Sequence, residues 1–247
     1  MKIPVWLLII AGLLFCSFFA KAQSAGYDWR FPVFENCTDT VCGNPDDIKS
    51  LKLRWHWYEV KNLPLEKLRN LEYLSLNDCR VDDVRALLQK ISFLPKLEYL
   101  DLTGNRIDSV FFSKGAFPAL KYLSLANCFV HYLDSSVCEI KQLEYLRLSL
   151  ADSRVVIGNT LHELPIAMSR LEKLTTLVYE HSNLDTLPAV VAMLPGLQYL
   201  NLAANSLKTL PAGFANLSKL KVLNISYNKF EGVPPEVLKM KNVKLIM

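Results

Sequence analysis

The sequence predicts an α/β solenoid, a curved stack of short repeats sharing one hydrophobic interior. Three observations carry that expectation. An eleven-residue apolar phrase returns at nearly regular intervals from Ile48 to the end of the chain. Within the phrase, apolar and polar residues alternate as they do on a half-buried strand. Between phrases, a Leu-Pro pair is followed by apolar residues at spacings of three, which suits a brief helical turn.

The phrase reads LEYLSLNDCRV at 71–81, LEYLDLTGNRI at 97–107 and LKYLSLANCFV at 120–130. It returns as LQYLNLAANSL at 197–207 and LKVLNISYNKF at 220–230. The segment 174–184 fits with Tyr179 and Ser182 at two consensus places, and the copy starting at Leu143 fits only in its first half. Ile48 to Tyr58 is a looser opening copy, and Val243 begins a further one. Starts at 48, 71, 97, 120, 143, 174, 197, 220 and 243 are separated by 23, 26, 23, 23, 31, 23, 23 and 23 residues. Five close copies in one register are hard to produce by chance.

This pattern resembles the leucine-rich repeat family, L-x-x-L-x-L-x-x-N/C-x-L, over residues 48–247. The resemblance implies a right-handed curved stack with a parallel sheet on its concave face and short helical or 3-10 turns on its convex face. No single repeat buries its Leu face alone, so neighbours must stack to form a core. At the ninth place, Asn105, Asn205 and Asn228 would bond backbone groups left open by the turn, as a ladder between repeats does in the family. Cys79 and Cys128 share that place, where buried packing with weak donation is expected in preference to redox chemistry.

The convex wall is read from Leu164-Pro165 with Met168 and Leu171, Leu187-Pro188 with Val191 and Leu194, and Leu210-Pro211 with Phe214 and Leu217. Proline suits the first turn of a helical segment because it lacks an N–H that would need a partner. Brief turns are expected there, not long helices.

Ahead of the repeats, Met1 to Ala22 has the pattern of a secretory signal: a basic residue, a nearly continuous apolar run from Ile3 to Phe19, then small residues at Ala20 and Ala22. Cleavage is expected after Ala22, placing the chain in an extracytoplasmic, secreted or cell-envelope setting; an uncleaved anchor is the rival reading. The style of the signal and the compact repeats look bacterial. Residues 23–47, rich in aromatics, are expected to cap the first repeat. Cys37 and Cys42 are expected to bridge there, an exported chain being able to keep a disulfide. Zinc is the rival, with no second ligand pair at suitable spacing.

Composition narrows the function. Hydrophobic residues make up 51% of the 247 and charged residues 21%, as in a folded core. A formal charge of +4 without a like-charge run points away from nucleic acid. His56, His131, His162 and His181 fall on different repeats, and no helical H-E-x-x-H, G-x-S-x-G or P-loop pattern occurs, so neither an enzyme nor a cofactor is expected.

A binding module remains. In the family, partners meet the outward side chains at the third, fifth and seventh places. The third place offers Tyr73, Tyr99, Tyr122 and Tyr145 on consecutive strands, and later Tyr199. Such a stripe is either a protein-binding surface or packing that supports the sheet. The fifth place contributes Asp101, Arg147 and Asn201, and the seventh Glu180. The 31-residue repeat carries about eight extra residues near 151–160, where Arg154, Asn159 and neighbouring His162 are loop candidates. A protein ligand leads. A glycan is the alternative, with Trp55 and Trp57 as a platform if they do not simply complete the cap. Membrane contact is expected only through an uncleaved signal segment. The apolar strand opened by Val243 would either pair with another chain or belong to a truncated copy of something longer. Sequons at Asn36, Asn216 and Asn224 would matter only in a eukaryotic secretory route.

Overall fold

The computed structural model describes residues 34–35, 45–54, 60, 63–81, 83–149 and 161–247. The expected signal segment, Cys37 and Cys42, Trp55 and Trp57, and the loop residues Arg154 and Asn159 lie outside them. Each phrase becomes a strand. In chain order the strands, three of them outside the phrases, are β1 (Phe34–Glu35), β2 (Ser50–Arg54), β3 (Tyr73–Asn77), β4 (Tyr99–Asp101), β5 (Ser109–Val110) and β6 (Tyr122–Ser124). There follow β7 (Tyr132–Leu133), β8 (Tyr145–Arg147), β9 (Thr176–Val178), β10 (Tyr199–Asn201), β11 (Val222–Asn224) and β12 (Lys244–Ile246).

Ten of these form one parallel sheet in the order β1-β2-β3-β4-β6-β8-β9-β10-β11-β12. Register follows the phrase: Leu74 sits opposite Leu100, Leu100 opposite Leu123, and Leu123 opposite Leu146. The match continues across the long repeat, with Leu146 opposite Leu177. A 31-residue repeat therefore adds chain without shifting the ladder, because a one-residue slip would turn every leucine outward.

Alternation decides the two faces. The fourth-place leucines (Leu51, Leu74, Leu100, Leu123, Leu146, Leu177, Leu200, Leu223) are at most 1% exposed. The sixth-place row (Leu53, Leu76, Leu102, Leu125, Leu148, Tyr179, Leu202, Ile225) is at most 2% exposed. Each such side chain removed from water contributes about 1.5–3 kcal/mol before entropy is counted. Tyr179 is the odd member. Its ring fills a leucine place while its hydroxyl donates to the Leu161 carbonyl, so the buried phenol has a partner.

At the eighth place the strand must turn sharply out of the sheet. Asp78, Gly104, Asn127, His181, Ala204 and Tyr227 all adopt positive φ there, between 51° and 77°. The turn is tied to its neighbour, as when Gly104 N–H donates to the Ala126 carbonyl at 3.0 Å and Asn127 N–H to Ser149 at 2.8 Å. The ninth-place ladder is present as expected. Asn205 Nδ2 donates to the carbonyls of Tyr179 (2.9 Å) and Leu202 (3.0 Å), and Oδ1 accepts from Ser182 N–H (2.9 Å) and Leu184 N–H (3.1 Å). Cys128 Sγ takes over the donor half of that role, reaching the Leu102 carbonyl at 3.0 Å and Ala126 at 3.3 Å. Burial pushes its thiol up to about 12, which keeps it a protonated donor.

Convex segments carry the expected 3-10 turns at Ser135–Glu139, Ile166–Arg170, Ala189–Met193 and Phe214–Asn216. Two features go beyond the sequence reading. The 26-residue repeat holds a full α-helix, Val84–Ile91, started by Asp83, whose carboxylate accepts the Ala86 N–H at 2.9 Å. The α-helix advances about 1.5 Å per residue against about 2.0 Å for a 3-10 turn, so it needs the extra residues to cover the same ground. Next to it, β5 and β7 pair in a small second parallel sheet, Ser109 opposite Tyr132.

Candidate functional site

The third-place tyrosines meet on the concave face. Tyr73 stacks on Tyr99 at 4.1 Å between ring centroids, Tyr99 on Tyr122 at 4.0 Å and Tyr122 on Tyr145 at 4.3 Å. Interplanar angles of 12°, 12° and 15° make the four rings one nearly parallel pile. The cause is the parallel register. It places Tyr73, Tyr99, Tyr122 and Tyr145 opposite one another, at a strand separation of roughly 4.8 Å that leaning rings close to van der Waals contact.

Each phenol also feels its neighbours along the row electrostatically. Burial holds the phenols of Tyr73, Tyr99 and Tyr122 above the usual tyrosine range, and the Asp101 carboxylate adds to the effect. The hydroxyls therefore stay protonated as a neutral band. Beneath it, Ser75, Asp101 and Ser124 of the fifth place are 1%, 8% and 1% exposed. Asp101 is satisfied internally, accepting from Thr103 N–H (3.0 Å) and Thr103 Oγ1 (2.6 Å), and that hydroxyl also meets Ser124 Oγ at 2.8 Å. Asp101, expected to face a partner, is a buried support of the tyrosine row instead.

A polar network adjoins the pile on the next strands. Arg147 Nη2 lies 3.3 Å from Glu180 Oε1, and Arg147 Nε donates to Ser149 Oγ at 2.9 Å. Asn201 Nδ2 donates to the second Glu180 oxygen at 2.6 Å, and Asn201 Oδ1 accepts from Ala203 N–H at 3.1 Å. Arg147 and Glu180 remain half-buried, whereas Asn201 is only 8% exposed and serves the network from below. Tyr199 stands apart from the pile, because Thr176 on β9 separates it from Tyr145. His162 is exposed beside the long repeat's end and joins none of these groups.

Of the sequence candidates, Tyr73, Tyr99, Tyr122, Tyr145, Arg147 and Glu180 thus form one continuous surface, with Asp101 and Asn201 under it. Thr103, Ser124 and Ser149 belong to the same arrangement and were not singled out from sequence. Their seventh- and fifth-place positions, next to named charged residues, were the available signal. Among the described residues no group of three His, Cys, Asp or Glu side chains could hold a metal, and no helix is long and apolar enough to cross a membrane.

Comparison with known proteins gives three results. A family model described as Leucine rich repeat matches residues 172–230 and 195–240, and one described as Leucine Rich repeats (2 copies) matches 69–114. Among solved structures, a leucine-rich repeat protein of Leptospira interrogans is similar at 21% identity and TM-score 0.51, covering 82% of this chain and 62% of its own. The plant peptide hormone receptor RGFR1 in complex with RGF2 is similar at 21% identity and TM-score 0.54, covering 81% of this chain and 32% of the receptor. The chain thus spans less than two thirds of either protein. No curated protein matches.

Proposed function

We propose, from the premise that this chain belongs to the leucine-rich repeat family, that it is a non-enzymatic module binding a polypeptide on its concave face. The observation that carries the reading is the tyrosine pile, four rings in contact on consecutive strands beside the Arg147–Glu180 pair. Tyrosine combines a large apolar area with a polar tip and few rotatable bonds, which makes it an efficient contact residue. Stacking immobilises these rings before any partner arrives, so little further ordering entropy opposes binding. The plant receptor's complex is a fact about that protein, and it lends support only to the same mode of use here.

The pile argues against a sugar platform at this place. Sugars stack on open ring faces, and here Tyr99 and Tyr122 have a neighbouring ring on both faces. Partner contact would run along ring edges and hydroxyls instead. An extracytoplasmic setting follows from the leader-like first 22 residues and belongs to the same proposal.

Affinity capture from envelope and host-cell extracts, read by mass spectrometry, tests the reading. A polypeptide retained by the native chain, lost with Tyr99→Ala plus Tyr122→Ala and kept with Trp55→Ala, is the expected result. Binding that survives the double tyrosine change in a folded variant would refute it. Glycan-array binding lost with Trp55→Ala would point to the carbohydrate alternative.

A further inference from the structure

On the flank away from the tyrosines, the solenoid has a step. The convex 3-10 turns from Ser135–Glu139 onward pack on one another in series. Upstream, the wider helix Val84–Ile91 faces a stretch, Phe111 to Phe117, that has no helical turn of its own. The mismatch leaves a crevice of about 180 Å³ between them. Its length of wall is mixed in character. Phe112 and Phe117 meet edge to face at 5.5 Å and are nearly buried, whereas Phe111 is 45% exposed and stands 6.3 Å from the exposed Tyr132 ring.

One cation overlooks this apolar wall. The Arg85 guanidinium carbon sits 5.8 Å from the Phe111 ring centroid. Every ion pair among the described residues uses a different base. The neighbouring Asp83 carboxylate is engaged at the start of the helix, accepting the Ala86 N–H. Gln89 and Ser113 line the same crevice and can donate hydrogen bonds to an oxygen anion held by Arg85.

We propose that this crevice binds an apolar carboxylate of about one-ring size, its carboxylate on Arg85 and its apolar part against Phe111, Phe112 and Phe117. Size and chemistry agree. A cavity of about 150 Å³ suffices for benzene, and guanidinium matches carboxylate with two parallel hydrogen bonds. The same chemistry is found in a free aryl-alkyl acid and in a chain terminus ending in an apolar residue. The site is independent of the concave face.

The test is a titration of the full chain followed by amide NMR shifts, with 3-phenylpropionate, its alcohol 3-phenylpropanol, and the peptide Gly-Gly-Phe as free acid and as amide. A ligand this small is expected to saturate at about 1 mM, with resonances of 85–92 and 111–117 moving and those of Tyr99, Tyr122, Tyr145 and Arg147 on the concave face unmoved. The alcohol should bind at least about tenfold more weakly, and Arg85→Ala should lose a similar factor for the acid while Arg85→Lys loses less. Both variants are checked by circular dichroism, and the Tyr99→Ala, Tyr122→Ala chain should bind as the native one does. Tighter binding of the peptide acid than of 3-phenylpropionate identifies a chain terminus as the source, and the reverse order a free acid. No saturable shift by about 10 mM, equal binding of acid and alcohol, or an unchanged Arg85→Ala would overturn the proposal.

Discussion

Replacing Asn205 by leucine should destabilise the solenoid by about 4 kcal/mol, and replacing it by cysteine by about half of that. The figure comes from the groups each change leaves open. Asn205 accepts from the N–H groups of Ser182 and Leu184 and donates to the Tyr179 and Leu202 carbonyls, all buried. Leucine removes these four bonds and a longer fifth, to the Ala203 carbonyl, which keeps the His181 N–H as its donor. The Leu202 carbonyl keeps a donor, because Asn228 Nδ2 also reaches it at 2.8 Å. Two N–H groups and the Tyr179 carbonyl are then left without it. At about 1–3 kcal/mol for each open buried group, less about 1 kcal/mol regained from leucine's extra apolar area, the sum lies near 4 kcal/mol.

Cysteine restores the donation, as Cys128 does at the equivalent place with its sulfur 3.0 Å from the Leu102 carbonyl. Only acceptance from the two N–H groups is weakened. Urea unfolding followed by circular dichroism would show both variants with a lower midpoint and unchanged m, leucine the lower of the two. Hydrogen exchange at Ser182 and Leu184 should rise with the leucine variant ahead of exchange in the first four repeats. A leucine variant within about 1 kcal/mol of native, or a cysteine variant less stable than it, would refute the reasoning.

Three further outcomes are expected. Gly196→Ala should cost about 2 kcal/mol, since the added carbon would stand 2.4 Å from the Glu172 carbonyl oxygen and 3.0 Å from that of Leu174, both rigid backbone; the urea midpoint reports it. Tyr227, 86% exposed at φ 56°, should gain about 0.5 kcal/mol on change to Asn, which tolerates the left-handed region better; an unchanged or lower melting temperature would count against the turn geometry. The Cys128 thiol is raised from 9.0 to about 12 by burial, so the folded chain holds a proton that the unfolded chain releases. Its contribution is complete below pH 9 and is lost as pH climbs toward 12, at up to about 1.4 kcal/mol per pH unit. Cys128→Ser should make the fall in stability between about pH 9 and pH 10 shallower, and equal slopes would exclude this origin.

The tyrosine pile also shows how far a column of letters can be read. Four Tyr at the third place predicted rings side by side, because parallel pairing in register leaves them nowhere else to stand. Their tilt over the fifth column did not follow. Asp101 and Asn201 read as contact residues from place alone, yet both are 8% exposed, one beneath neighbouring phenols and the other beneath Glu180. Whether an outward Cβ ends in water depends on which way the next side chain leans, and that is settled between repeats. The convex surface follows the same division. Short turns after Leu-Pro pairs were legible, but the pairing of β5 with β7 needs two loops brought together from repeats 23 residues apart.

By itself the sequence determined the strand period, the two rows that meet inside, the Asn or Cys at the ninth place of the five close copies and the absence of a known catalytic motif. Those properties are local: alternation, spacing and residue type act within one repeat and are copied into the next. The tertiary structure alone decided the stacking of four tyrosine rings into a single pile, the Arg147–Glu180–Asn201 linkage and the crevice beside Arg85. Each arises from mismatch or contact between repeats of unequal length and side chain, and packing across that boundary depends on shapes that no single repeat encodes.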